Sequence, residues 1–115
     1  PADFTPVCTT ELGAAARLQG EFAARGVKLF AVSVDTVDDH LRWVGDVNET
    51  QGCRVEFPLL DDSGRAISAA YDMLDHQDPS NVDRSGAPLT VRSVFFVDPR
   101  NIVRAVITYP ASCGR

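Results

Sequence analysis

Short β-branched apolar runs alternate with stretches of helical periodicity along most of this chain, and that alternation restricts it to an α/β layered fold. Leu12, Ala15, Leu18 and Phe22 mark an apolar face that predicts a helix over residues 9–25, with Gly26 placed to end it. Residues 28–35 (KLFAVSVD) are apolar nearly throughout, as in a buried parallel strand. Thr36 and Asp39 form a capping-box pattern, and Val37, Leu41 and Val44 follow at i, i+4 and i+7, so a second helix is expected to about residue 48. A further strand is predicted over 56–61 (EFPLLD), with Pro58 marking an end or an edge. A third helix follows Gly64, with Ile67, Ala70, Tyr71 and Leu74 on one face. Residues 75–90, rich in Asp, Pro, Ser, Asn and Gly, read as a long loop. Strands near 91–97 (VRSVFFV) and 102–109 (IVRAVITY) flank a turn at Asp98-Pro99-Arg100-Asn101 and predict an antiparallel pair.

At 115 residues the expectation is one domain spanning 1–115, with a modest core. A net charge of -5 argues against non-specific nucleic-acid binding, which requires a basic face. No apolar run has the length of a membrane span, and no targeting signal is visible; the cytoplasm is the expected location. The three cysteines are far apart, no C-x-x-C occurs, and neither His40 nor His76 stands at metal-ligand spacing from one. No metal or cofactor is expected, and reduced thiols in a reducing compartment are the default. Pro1 at the start and Arg115 at the end interrupt the pattern abruptly, and the expectation is a piece cut from a longer protein.

Chemistry concentrates in the opening segment, PADFTPVCTTE. Thr5 suits an N-cap and Pro6 the first helical position, so Cys8 falls at the third. There its sulfur lies near unpaired backbone N–H groups and the positive end of the helix dipole, where thiolate is favoured. Taken locally, this pattern is more often that of a helix start with a small buried cysteine.

P-x-x-x-T-x-x-C, here Pro1, Thr5 and Cys8, is the active-site signature of peroxiredoxins, and DFTPVCTTELG closely resembles their 1-Cys subgroup. The resemblance continues through VDDHLRW (37–43), FPLLDD (57–62), YDMLD (71–75) and YPASCGR (109–115), in order and along nearly the whole chain. It implies a thioredoxin-like fold with a mixed central sheet flanked by helices; one more strand before Pro1 and one more helix after Arg115 would complete it. It implies a thiol peroxidase in which Cys8 attacks hydrogen peroxide or an alkyl hydroperoxide and becomes a sulfenic acid. The resemblance further implies that the Thr5 hydroxyl, the Cys8 backbone N–H and Arg92 donate to the peroxide oxygens, that Pro1 shields the site, and that Glu11 and Arg115 support the arginine arrangement.

The string P-V-C-T, rather than the F-V-C-P common in two-cysteine members, implies reduction by an external thiol of the glutathione, glutaredoxin or thioredoxin type. The resemblance also implies a homodimer. Cys53 and Cys113 are read as structural or incidental thiols, His40 as a solvated or capping-region histidine, and Trp43 as a packing residue. Two other readings stand beside this one: a non-catalytic redox sensor or chaperone-like interaction protein on the same fold, and a two-cysteine enzyme whose resolving cysteine lies beyond Arg115.

Overall fold

In a computed structural model, which describes residues 2–113, seven elements follow one another in the predicted order. They are α1 (Pro6–Ala24), β1 (Ala31–Ser33), α2 (Val37–Gln51), β2 (Leu59–Asp61), α3 (Ala66–Ala70), β3 (Arg92–Val97) and β4 (Val103–Tyr109).

The helix ends follow local chemistry. Pro6 opens α1, where its missing N–H costs nothing. Gly26, at φ 71°, closes it: its N–H donates to the Ala23 carbonyl and that of Val27 to the Phe22 carbonyl, the paired bonds of a Schellman turn. Thr36 caps α2 by accepting the Asp39 N–H, and its own hydroxyl donates to the Asp39 carboxylate at 2.7 Å. The helix runs to Gln51, one turn beyond the expected end, because Gly52 (φ 56°) is the first residue that readily takes the left-handed conformation.

β1 and β2 pair in parallel, Ala31 opposite Leu59 and Ser33 opposite Asp61, with α2 as the crossover. β3 and β4 pair antiparallel, Arg92 opposite Tyr109, with an irregularity between Phe96 and Val97. The mixed central sheet thus takes the form of two two-stranded ladders among the described residues. The predicted strands over 28–35 and 56–61 shorten to three residues each. Pro58 explains part of this: its carbonyl accepts the Ala31 N–H, but it has no N–H to extend the ladder.

The core cluster is Cys8, Leu12, Trp43 and Val47, with Ala31, Cys53, Val55, Phe57 and Leu59 packed against it. Two helix faces differ from those expected. On α1, Cys8, Leu12, Gly13 and Ala16 are buried while Leu18 is exposed. On α2, His40, Trp43 and Val47 face inward, whereas Val37 and Leu41 are exposed. The apolar residues Val37, Leu41 and Val44 instead border an open groove of about 310 Å³ with Val55, Phe57 and Leu59. Gly13 lets the two helices approach, since a Cβ there would stand 2.6 Å from Gln51 Cγ.

The third helix is a single short element. The buried Asp62 carboxylate accepts the N–H groups of Ile67 and Ser68 and the Ser68 hydroxyl, which organises the first turn. Tyr71, expected on the apolar face, is half-exposed and meets Phe95 edge-on at 5.1 Å. The loop over 75–90 is stapled by carboxylates. Asp83 accepts from Ser85, Ala87 and Arg65, and these bonds hold its carboxyl down to about 2.

Trp43 joins α2 to the first turn of α1, as its indole N–H donates to Thr9 Oγ1 at 3.0 Å. Trp43→Ala is expected to cost about 3–5 kcal/mol of unfolding free energy, the range for a large buried aromatic, measured by denaturant titration. Trp43→Phe, which keeps most of the volume and loses the donor, should cost about 1 kcal/mol.

Candidate active site

The site is built on the start of α1. Thr5 has the extended backbone of an N-cap, but its side chain makes no capping bond. Its hydroxyl turns back and donates to the Ala2 carbonyl at 2.7 Å, which corrects the expectation of a capping threonine. With that hydrogen committed, the Thr5 oxygen is disposed to accept a hydrogen bond from a ligand, which corrects the donor role that the resemblance implied. Phe4, at φ 57°, occupies the left-handed region that bulky residues avoid, so neighbouring contacts must hold the loop.

Cys8 lies at the third position of α1 and is buried. Its N–H is one of the first four of the helix, which have no partner within the helix itself. Arg92, the first residue of β3, reaches it from 84 positions along the chain: Nη1 lies 3.6 Å and Nη2 3.7 Å from Sγ. Arg92 is itself buried and also pairs with the Glu11 carboxylate. Glu11 stands one turn after Cys8 on the same side of α1, so one guanidinium can serve both. Burial works against the charge on Arg92, but the hydrogen bonds to Glu11 and Cys8 outweigh it and hold the guanidinium above its ordinary value. A cation that stays charged, with two donor nitrogens on one sulfur, stabilises a thiolate and negative charge developing beside it.

A second network holds the loop from behind. The Asp3 carboxylate contacts His40 Nδ1 at 2.5 Å, with 1% and 5% of the two side chains exposed. His40 Nε2 donates to the Leu60 carbonyl at 3.1 Å. The Ser33 hydroxyl lies between two carboxylates, 2.8 Å from Asp3 and 2.9 Å from Asp35, and the Asp3 N–H donates to Asp35. Burial pushes the Asp3 carboxyl up, against the opposing pull of the His40 and Ser33 bonds. For His40 burial is the largest single influence and acts to lower the value, but the bond and charge of Asp3, the Leu60 carbonyl and the Asp35 charge together outweigh it, and the imidazole keeps its proton above its ordinary range.

Of the residues singled out in the sequence, Cys8, Arg92 and Glu11 come together, with Thr5 one helical turn before Cys8. Pro1 and Arg115 lie outside the described residues. Cys53 is half-buried with Sγ 3.8 Å from the Val47 carbonyl, and Cys113 is exposed beyond β4; all three thiols are free. His40 is the clear correction: it is buried and bonded at both ring nitrogens, not solvated. No sequence motif marks Asp3 as a partner of His40. The available signal was an aspartate two residues before Thr5 and a histidine inside a helix, neither of which has a local partner.

A buried cysteine at a helix start under a buried arginine is an arrangement suited to thiolate chemistry. The family comparison is specific: residues 1–106 match the AhpC/TSA family, and the chain belongs to it. The family members it resembles include 1-Cys peroxiredoxins. It is 47% identical over 115 residues to the 1-Cys peroxiredoxin of Dictyostelium discoideum, covering all of this chain and 45% of that protein. The crystal structure of a cysteine-to-serine variant of peroxiredoxin 6 from Arenicola marina matches with a TM-score of 0.90 and 41% identity, over all of this chain and 52% of that one. The yeast mitochondrial 1-Cys peroxiredoxin, described with a thiol resolving mechanism via glutathione/thioredoxin systems, matches with a TM-score of 0.84 and 44% identity, over 100% and 54% of the chains. These neighbours carry the thioredoxin-like fold that the resemblance implied. The chain spans about half the length of the curated relatives it matches.

Proposed function

We propose that the protein is a thiol-dependent peroxidase of the one-cysteine type, in which Cys8 reduces hydrogen peroxide and alkyl hydroperoxides. The observation that carries the reading is the pair of Arg92 nitrogens on Cys8 Sγ inside a buried site. The Cys8 thiolate attacks the terminal peroxide oxygen in line with the O–O bond. An S–O bond forms, the O–O bond breaks, and the departing alkoxide or hydroxide takes up a proton to leave as alcohol or water. Sulfur loses two electrons, the peroxide gains two, and Cys8 becomes a sulfenic acid. Arg92 and the Cys8 N–H stabilise the charge passing to oxygen, while Thr5 Oγ1 accepts the peroxide hydrogen.

The sulfenic acid then condenses with an external thiol, releasing water and leaving a mixed disulfide. A second thiol returns Cys8 to the reduced form and departs in a new disulfide. Glutathione, glutaredoxin or thioredoxin types are the reductants this reading names, supported by the systems described for the yeast relative. Pro1 and Arg115 keep the shielding and supporting roles implied by the family motif. A homodimer agrees with the family resemblance and with β4, whose seven residues are all exposed. A reducing compartment, the cytoplasm in this reading, suits three free thiols. No helix among the described residues is long and apolar enough to cross a membrane.

Peroxide removal by the full-length protein, followed with dithiothreitol and then with glutathione or a thioredoxin system, tests the reading. Catalytic turnover with a small thiol is expected. Consumption that stops at one equivalent of peroxide despite excess of each reductant would favour the redox-sensor alternative.

A further inference from the structure

We propose that His40 is a positioning residue for Cys8: clamped between the Asp3 carboxylate and the Leu60 carbonyl, it fixes the loop that leads into α1 and so sets where the sulfur and the Thr5 hydroxyl stand. This rests on the reading of Cys8 as the attacking group and adds a residue on α2, remote in sequence, to its support.

The geometry assigns the role. Asp3 sits two residues before Thr5, and between them Phe4 adopts a left-handed conformation unfavourable for its side chain. Such a conformation persists only where surrounding contacts over-determine it. Those contacts are His40 and Ser33 on the Asp3 carboxylate and Asp35 on the Asp3 N–H. His40 in turn reaches the backbone of β2 through Leu60. One imidazole therefore ties the loop to α2 and to the β1–β2 pair, whose residues also pack beneath Cys8.

Both partners of the ring are acceptors when Asp3 is ionised, so the clamp is complete only while a proton lies between Nδ1 and the carboxylate. The groups facing it are Asp3 from the loop, Asp35 and Ser33 from the β1 end, and Asp61 and the Leu60 carbonyl from β2; the carboxylates all favour the protonated ring. The sign follows. A histidine raised in the folded state contributes its full stabilisation below its unfolded value of 6.5, and that contribution is lost as pH rises through the higher folded value.

The test uses the full-length protein, measuring the single-turnover rate of Cys8 oxidation by hydrogen peroxide, read by mass on the Cys8 peptide. His40→Leu, which removes both donors, should slow oxidation roughly 10- to 100-fold, the effect of displacing a reacting group by about 1 Å. His40→Asn, whose amide N–H can replace Nδ1–H toward Asp3, should recover most of that loss. The wild type should also show a decline in rate on the alkaline side of 6.5 that His40→Asn lacks. A role confined to general stability would lower the unfolding midpoint and leave the pH profile unchanged.

A folded His40→Leu variant reacting at the wild-type rate would overturn the proposal and leave Cys8 untouched. If His40→Leu does not fold, the pH profile of His40→Asn decides: loss of the alkaline decline supports the proposal, and an unchanged profile sinks it. Wild-type protein whose Cys8 gains no oxygen removes the underlying reading itself.

Discussion

Cys8→Ser is expected to reduce thiol-driven peroxide consumption to background, while Cys53→Ser and Cys113→Ser keep most of the turnover. Serine is nearly the shape of cysteine, so the buried site should survive the change. Its hydroxyl is not ionised near neutral pH and has none of the soft nucleophilicity of a thiolate toward peroxide oxygen. The other two thiols lack the arrangement that surrounds Cys8. Cys53 is directed to the Val47 carbonyl, and Cys113 is exposed after β4. Peroxide consumption with dithiothreitol, measured across the three variants, reads the difference directly. A variant other than Cys8→Ser that consumes one equivalent and then stops would identify a resolving thiol and move the protein to the two-cysteine class.

Arg92→Ala should leave a folded protein and slow peroxide reduction by about 10²- to 10³-fold, the range for removal of a donor that stabilises charge in the transition state. Two nitrogens of this side chain reach Sγ and the same group pairs with Glu11, so the substitution removes several interactions together. Glu11 is more than half exposed and can be re-solvated, which limits the structural damage. Arg92→Lys should recover only part of the rate, because a single ammonium cannot present two parallel donors to sulfur while holding Glu11. The second-order rate with hydrogen peroxide, alongside circular dichroism, separates loss of chemistry from loss of fold. A wild-type rate in Arg92→Ala would remove Arg92 from the mechanism.

Helix ends were the most legible feature of the chain, because their causes are local. Pro6, Gly26 and Thr36 act through backbone geometry that involves only a few neighbours, whereas the end of α2 at Gly52 lies a turn beyond the expected residue 48. Helix faces were less so. On α2 the regular row of Val37, Leu41 and Val44 drew the apolar face outward, while the buried row contains His40 and Trp43, whose polar atoms need partners supplied by Asp3, Leu60 and Thr9. Strand lengths were overestimated because an apolar run does not state which of its residues find ladder partners.

The candidate site divides in the same way. A helix-start cysteine can be read within four residues, but its arginine lies on another element, and only the family resemblance connected the two in sequence. The Asp3–His40 pair had no such motif to mark it, and its partners are 37 positions apart. Tertiary contact alone brings them together.

Cys8 is expected to be the first thiol oxidised, becoming a sulfenic acid. The most direct measurement treats the reduced full-length protein with one equivalent of hydrogen peroxide in the presence of dimedone and maps the adduct by peptide mass. A dimedone adduct on Cys8, with Cys53 and Cys113 recovered as unmodified thiols, is the expected result. An adduct on Cys53 or Cys113 with Cys8 unchanged would contradict it.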